Sequence, residues 1–228
     1  MANLKYWSDR ELDKLKSMPV EKRLEYIWDY YKLWIIGILS TVILVTWSAV
    51  HFLTTPGDNW FYACFANTYA DLGSDSPFCQ GFAEYAGFDL GEKNIIFNAE
   101  CYCDPTKGTY GNRYYETLVA LMDSGTLDVV VMEQEQLKAI GATGRLLDLE
   151  DERLGDFADW WADRLVYVEP EAEGYEKELV PIGVDLQGTI LVGPYRAYPD
   201  GAVLGISAYA PHYDEVERFL QYIMEAES

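Results

Sequence analysis

The chain is poor in the residues that build most active sites and nucleic-acid surfaces. Its 228 residues include two histidines, His51 and His212, and 17 Lys+Arg against 38 Asp+Glu. Between Lys32 and Lys93 there is no Lys or Arg. The deficit is uneven. Residues before Thr54 hold seven of the basic and six of the acidic residues, so from Thr54 onward ten bases face 32 acids, a net charge of −22. A field of that sign repels phosphate backbones and anionic lipid surfaces, and it excludes nucleic acid as a partner of this part. Motifs of catalysis are scarce too. No G-x-S-x-G nucleophile elbow occurs. Gly141-Ala142-Thr143-Gly144 lacks the following Lys-Ser/Thr of a phosphate loop and comes after a helical stretch rather than a strand. The acidic run Asp148, Glu150, Asp151, Glu152, Asp156, Asp159 and Asp163 lacks the spacing of a calcium-binding EF-hand loop and reads as a solvated face. His212 beside Asp214 reads as a surface histidine near a helix start. The expectation is therefore no enzyme, no catalytic residue, no cofactor and no metal.

Long apolar runs, by contrast, are present. Leu33 to Leu53 reads LWIIGILSTVILVTWSAVHFL, 21 residues without Asp, Glu, Lys or Arg. As a helix it extends roughly 31 Å, about the thickness of a bilayer's hydrocarbon core. Trp34 and Trp47 lie towards its two ends and Tyr30 and Tyr31 precede it, suiting the headgroup level. Ser40, Thr41, Thr46 and Ser48 can return their hydroxyls to the helix backbone. A cleaved signal peptide has a shorter apolar stretch and a short basic start. Here 32 residues precede the run and no small-x-small cleavage site follows it, so an uncleaved anchor is expected. Lys22, Arg23 and Lys32 sit just before the helix, which places the N-terminus in the cytoplasm and the C-terminal part outside the cell membrane. Residues 1–32 read as a cytoplasmic, juxtamembrane helical segment. Ser8 is its candidate N-cap and Glu11 stands at capping-box spacing, with Pro19 dividing it.

After a polar linker, 54–59, the pattern becomes that of one α/β domain, 60–228. Trp60–Asn67, Asn94–Tyr102 and Leu127–Met132 read as strands; Pro77–Gly87, Tyr110–Ser124 and Glu133–Ile140 read as helices. Ser76 is a candidate N-cap and Gly125 a C-terminal cap. Strands alternating with helices argue for βαβ units and a mostly parallel sheet. Further on, Phe157–Leu165 reads as a short helix. Leu165–Val168 and Glu178–Val184 read as strands about an acidic turn, and Thr189–Val192 and Ala202–Ala208 as two more strands. Asp214–Glu225 is an amphipathic helix with Val216, Phe219, Leu220 and Ile223 inward.

The order of these features resembles a family. Gly-Thr-Leu-Asp-Val-Val-Val leads through a helix to Arg-Leu-Leu-Asp-Leu-Glu-Asp, then Leu-Val-Pro-Ile-Gly-Val-Asp, then Val-Leu-Gly-Ile-Ser-Ala before the last helix. It is similar to the extracellular solute-binding proteins of ABC transporters, with the type II periplasmic-binding-protein fold, over about residues 60–225. The resemblance implies a binding module in the bacterial cell envelope and a single lobe of that fold. Only Asp185 to about Gly201 stands where the second lobe would be, and the transmembrane helix replaces the family's lipoprotein cysteine.

Four cysteines, Cys64, Cys79, Cys101 and Cys103, in an extracytoplasmic domain suggest a disulfide. Cys101 and Cys103 are poorly placed to bond each other in an extended strand, with side chains roughly 7 Å apart. Cys79 with Cys101 or Cys103 is the expected pair, and Cys64 an apolar core residue. A ligand of such a fold lies beyond the carboxyl ends of the strands. Those ends carry Asn67, Tyr69, Asp104, Glu133, Gln134, Asp185 and Gln187, the candidate ligand-binding residues. Polar loops beside tyrosines suit sugars, peptides or cations. Besides the lipid bilayer at Leu33–Leu53, the expected partner is a small solute or another membrane or envelope protein. The alternative is a structural subunit that assembles through the membrane helix and binds no ligand.

Overall fold

The computed structural model describes residues 13, 16, 18–54, 58–107, 112–171 and 179–225, and the chain divides into two compact units, Met1–Thr55 and Pro56–Ser228. The first unit is dominated by one helix, α1 (Val20–Thr54), 35 residues long and beginning straight after Pro19. Most of the segment expected to precede Pro19 as a separate helix lies outside the described residues. Lys32–His51 within α1 is long and apolar enough to cross a membrane. Leu33, Trp34, Ile36, Ile38, Leu39, Val42, Ile43, Leu44, Val45, Trp47 and Val50 in this stretch are exposed. Thr41 Oγ1 donates to Gly37 O and Thr46 Oγ1 to Val42 O, both at 2.8 Å, so these hydroxyls are satisfied by the helix itself.

The second unit is an α/β sandwich on a six-stranded sheet. Its elements in chain order are β1 (Asp58–Ala66), α2 (Pro77–Ala86), β2 (Lys93–Cys101), α3 (Arg113–Asp123), β3 (Val129–Met132), α4 (Gln134–Gly141), α5 (Phe157–Trp160), β4 (Leu165–Val168), β5 (Val180–Asp185), β6 (Val203–Ile206) and α6 (Tyr213–Glu225). The strand order is β2-β1-β3-β6-β5-β4. The sheet is mixed rather than mostly parallel. β1 pairs parallel with β2 and β3, but β3–β6, β6–β5 and β5–β4 are all antiparallel. The βαβ reading holds for the first half. Beyond β3 each neighbouring pair of strands is antiparallel, so the second half of the sheet is not built from βαβ units.

Period-two alternation divides the core into two layers. Along β1, Phe61, Ala63 and Phe65 face one cluster and Tyr62, Cys64 and Ala66 the other. The first cluster is closed by α2 and α6, through Phe78, Phe82, Val216, Phe219, Leu220 and Ile223. The second is closed by α3 and α4, through Tyr115, Leu118, Met122, Leu137 and Ile140. Phe61, Phe65, Phe78, Phe82, Phe97 and Phe219 form a ring cluster with centroids 5.2–6.3 Å apart. Each buried Phe contributes on the order of 1.5–3 kcal/mol.

The helix ends follow their sequence signals. Ser76 Oγ accepts from Cys79 N at 3.2 Å, with Pro77 in the first turn, and Gly87 closes α2 in the left-handed region at φ 73°. Asn112 Oδ1 accepts from Tyr114 N and Tyr115 N at the start of α3, and Gly125 at φ 65° follows its end. One expectation fails and one holds in part. Thr189–Val192 is a series of turns, with Val192 N and Gly193 N bonded back to Thr189 O, and not a strand. Phe157–Leu165 is a single α-turn followed by a 3-10 turn.

Candidate functional site

The carboxyl ends of β3 and β5 lie at the same edge of the sheet, because β6 runs between them antiparallel to both. The start of β6 therefore meets them there. At this edge a cleft of about 260 Å³ opens, lined by Glu133, Gln134 and Glu135 after β3, Asp185 and Gln187 after β5, and Asp200–Val203 before β6. It contains four carboxylates and no Lys or Arg.

Local structure holds each wall. Glu133 occupies the N-cap position of α4 without a side-chain cap bond, so its carboxylate stays with the cleft. Asp185 Oδ1 accepts from Gln187 N at 3.0 Å, folding the turn after β5. Arg164 braces that turn from its backbone side, Nη1 donating to Gln187 O at 2.7 Å and Asp185 O at 3.3 Å. Gly201 has φ 94°, and a Cβ there would lie 3.2 Å from Gln187 Oε1. Glycine thus serves both the backbone geometry and the close approach. Tyr198, fully buried, stands behind Asp200. Its hydroxyl lies 3.0 Å from Ala66 O and from Val131 O, tying this segment to the ends of β1 and β3. Burial pushes the Tyr198 phenol well above its ordinary pKa, so it stays neutral and bonded. With Ile190, Leu191 and Ala197 it packs residues 186–202 into the core.

The structure brings four of the seven predicted residues together: Glu133, Gln134, Asp185 and Gln187. The other three lie apart. Asn67, in the left-handed region at φ 58°, commits its side chain to the fold. Its Nδ2 donates to Cys103 O and Gln136 Oε1, and its Oδ1 accepts from Cys103 N. Asp104 is paired with Lys107 at 2.6 Å and accepts from Thr106. Lys107 holds its carboxyl below the usual range. Tyr69 is 93% exposed and lines a different hollow. Glu135 and Asp200 were not singled out from the sequence; the turn pair Asp200-Gly201 was the available signal.

The expected disulfide is not formed. All four cysteines are free thiols. Cys79 belongs to the core on one face of the sheet, whereas Cys64, Cys101 and Cys103 belong to the core on the other, so β1 and β2 separate the expected partners. Cys101 Sγ and Cys103 Sγ instead lie 3.8 Å apart, because the chain leaves the extended conformation after Cys101. His212 is also placed differently from its reading. Its partner is the buried Asp128, at 3.1 Å from Nδ1, and not Asp214.

No family model, curated protein or solved structure matches this chain. The chemistry of the cleft must therefore be read from its own groups. Among the described residues no three His, Cys, Asp or Glu side chains converge closely enough to hold a metal ion. Carboxylates spread around a cleft, with side-chain amides between them, suit an extended cation better than a point charge.

Proposed function

We propose that the chain is a membrane-tethered extracytoplasmic binding module, held in the bilayer by the apolar part of α1, whose cleft at the β3, β5 and β6 ends takes a cationic solute or a basic side chain of an envelope partner. The observation that supports this is the set Glu133, Glu135, Asp185 and Asp200 around one cleft with no lining base, at the strand ends where α/β sheets place ligands. The net charge of −22 from Thr54 onward draws cations towards it. The order of motifs that resembles a solute-binding protein fits the same reading, as a lobe reduced to its sheet and helices. The reading includes no catalytic role.

The test is thermal unfolding of the full-length chain in micelles against spermidine, arginine, lysine-containing tripeptides and divalent ions. Stabilisation should grow with one cation's concentration, reaching about 2.7 kcal/mol at a hundredfold excess over its dissociation constant. It should vanish in Glu133→Gln/Asp185→Asn. A flat response to all of them sinks the reading.

One observation favours a second reading, an assembly subunit. Gly37 leaves a notch on α1, a hollow of about 390 Å³ bordered by Trp34, Ile38 and Thr41, with nothing within 4 Å of where a Cβ would stand. Small residues let membrane helices approach closely. Gly37→Leu should then abolish co-purification of a membrane partner while leaving any ligand response intact.

A further inference from the structure

Two more hollows with polar lining lie away from the cleft. β2 is an edge strand, and its carboxyl half borders a hollow of about 520 Å³ formed with the loop 68–74. A second hollow of about 350 Å³ lies between the end of β2 and α3. The two meet at Asn98 and Glu100, which line both. Three tyrosines follow the same path. Tyr69 and Tyr102 have ring centroids 5.7 Å apart and inclined by 31°, and Tyr114 stands edge-on to Tyr102 at 5.9 Å. Tyr69 is almost wholly in solvent at 93%, and Tyr102 and Tyr114 are 38% and 49% exposed. A row of apolar ring faces held in water beside polar groups marks a surface kept for a ligand.

The lining chemistry selects among ligands. Asp71 and Glu100 exclude a polyanion, and Arg113 offsets one of these two carboxylates, so the groove attracts a polycation less than the cleft with its four carboxylates and no base. A peptide adding as a strand would need the free amides of the edge. Two of these are already taken, because Phe97 N donates to Ser74 Oγ and Glu100 N to Asn98 Oδ1, each at 2.9 Å. What remains is a neutral, polyhydroxylated chain. Its C–H faces pack on tyrosine rings, and its hydroxyls bond to carboxylates and amides, here Asp71, Asn98 and Glu100. We propose that the groove along Tyr69, Tyr102 and Tyr114 binds a neutral oligosaccharide. Tyr69 and Tyr102 stack successive sugar rings in the first hollow, and Tyr114 extends the site for longer chains. The site is separate from the carboxylate cleft and does not depend on it.

The experiment is saturation-transfer NMR and calorimetry on the full-length chain, in a detergent without a sugar headgroup. The probes are linear β-1,4-linked glucose and N-acetylglucosamine tri- and tetrasaccharides. Saturable binding is expected. It should weaken at least about tenfold, ~1.4 kcal/mol, in Tyr69→Ala/Tyr102→Ala. Both side chains reach solvent, so the variant keeps its fold, checked by an unchanged melting temperature. Binding should persist in Glu133→Gln/Asp185→Asn, which separates this site from the cleft. Silence of all the saccharides, binding indifferent to the tyrosine substitutions, or displacement by a proline-rich or lysine-rich peptide that binds the same tyrosines more tightly would each overturn the proposal.

Discussion

Asp128 is fully buried, and three donors converge on it: Tyr62 N at 2.8 Å, His212 N at 2.9 Å and the His212 ring at 3.1 Å. Burial raises its pKa, and the hydrogen bonds from Tyr62 and His212 only partly oppose that rise. A carboxyl whose folded pKa exceeds its unfolded value binds its proton more tightly when folded. Its contribution is fully present below the unfolded pKa, about 4, and is lost as pH rises through the folded value. The protein should therefore lose stability from pH 4 towards neutrality partly through this residue. Repulsion among the many other carboxylates acts in the same direction, so the variant isolates the effect. The drop in melting temperature from pH 4 to pH 7 should be smaller in Asp128→Asn than in the native chain, and an identical drop would refute the assignment. The thiols give a second residue-scale prediction. Burial, with Asp75 adding to it, lifts Cys79 to about 11. Contact with the Cys101 thiol, and then burial, raises Cys103; for Cys101 the Cys103 thiol acts downward, but the Cys64 thiol and burial prevail upward. Thiols that stay protonated are poor nucleophiles. The folded chain should react with a chromogenic disulfide reagent at less than about a tenth of the rate of the unfolded chain. Fast native labelling of any of the four would contradict their burial.

At the scale of elements, β5 and β6 come together because Gly183 has no side chain. A Cβ at this position would stand 2.5 Å from Val203 Cγ1, 2.8 Å from Leu137 Cδ2 and 2.9 Å from Leu204 O. The last is backbone and cannot turn away. Gly183→Ala should cost about 1–3 kcal/mol by overpacking, read as a melting temperature lower by about 2–4 °C for each kcal/mol. Asn112→Ala, which strips the cap of α3, should cost about 1 kcal/mol. The sequence pattern starts this helix at Tyr110 and so does not single out Asn112 as its cap. The helices are legible, because capping residues and 3.6-residue spacing are local: Ser76, Gly125 and the inward set Val216, Phe219, Leu220 and Ile223 all stand where their pattern places them. The close approach at Gly183 is not legible, since nothing in Pro-Ile-Gly-Val-Asp names Val203 or Leu137 as neighbours. Nor is the direction of β6, which is set by the partners on either side. Thr189–Val192 has the composition of a strand, but four apolar and β-branched residues carry no period long enough to tell a strand from a turn. Here the local bonds from Val192 N and Gly193 N to Thr189 O win.

For the whole molecule, the same limit explains which part of the candidate site is visible from the sequence. Glu133, Gln134, Asp185 and Gln187 converge because β3 and β5 run the same way, which the rule of ligands at strand ends anticipates whatever lies between them. Asn67 and Asp104 sit at strand ends equally well, yet local partners consume their polar atoms, a detail that depends on Cys103, Gln136 and Lys107 being within reach. The charge of the chain is legible at any resolution, and it leads to a prediction of its own. Lys22, Arg23 and Lys32 precede the apolar stretch, and the next basic residue after it is Lys93. Basic residues close to a span resist translocation, whereas acidic ones contribute little. The −22 of the later residues should therefore not oppose their export, and the three N-terminal cations should decide orientation. In sealed cells, added protease should remove the Pro56–Ser228 unit of the native chain while leaving an N-terminal tag protected. Replacing Lys22, Arg23 and Lys32 by glutamine and inserting three lysines just after Leu53 should invert a measurable fraction, which becomes resistant until the membrane is opened. Protection of the native unit in intact cells would place it in the cytoplasm. It would then remove the extracytoplasmic part of the proposed function while leaving the cleft and the tyrosine groove to be judged by their own ligand titrations.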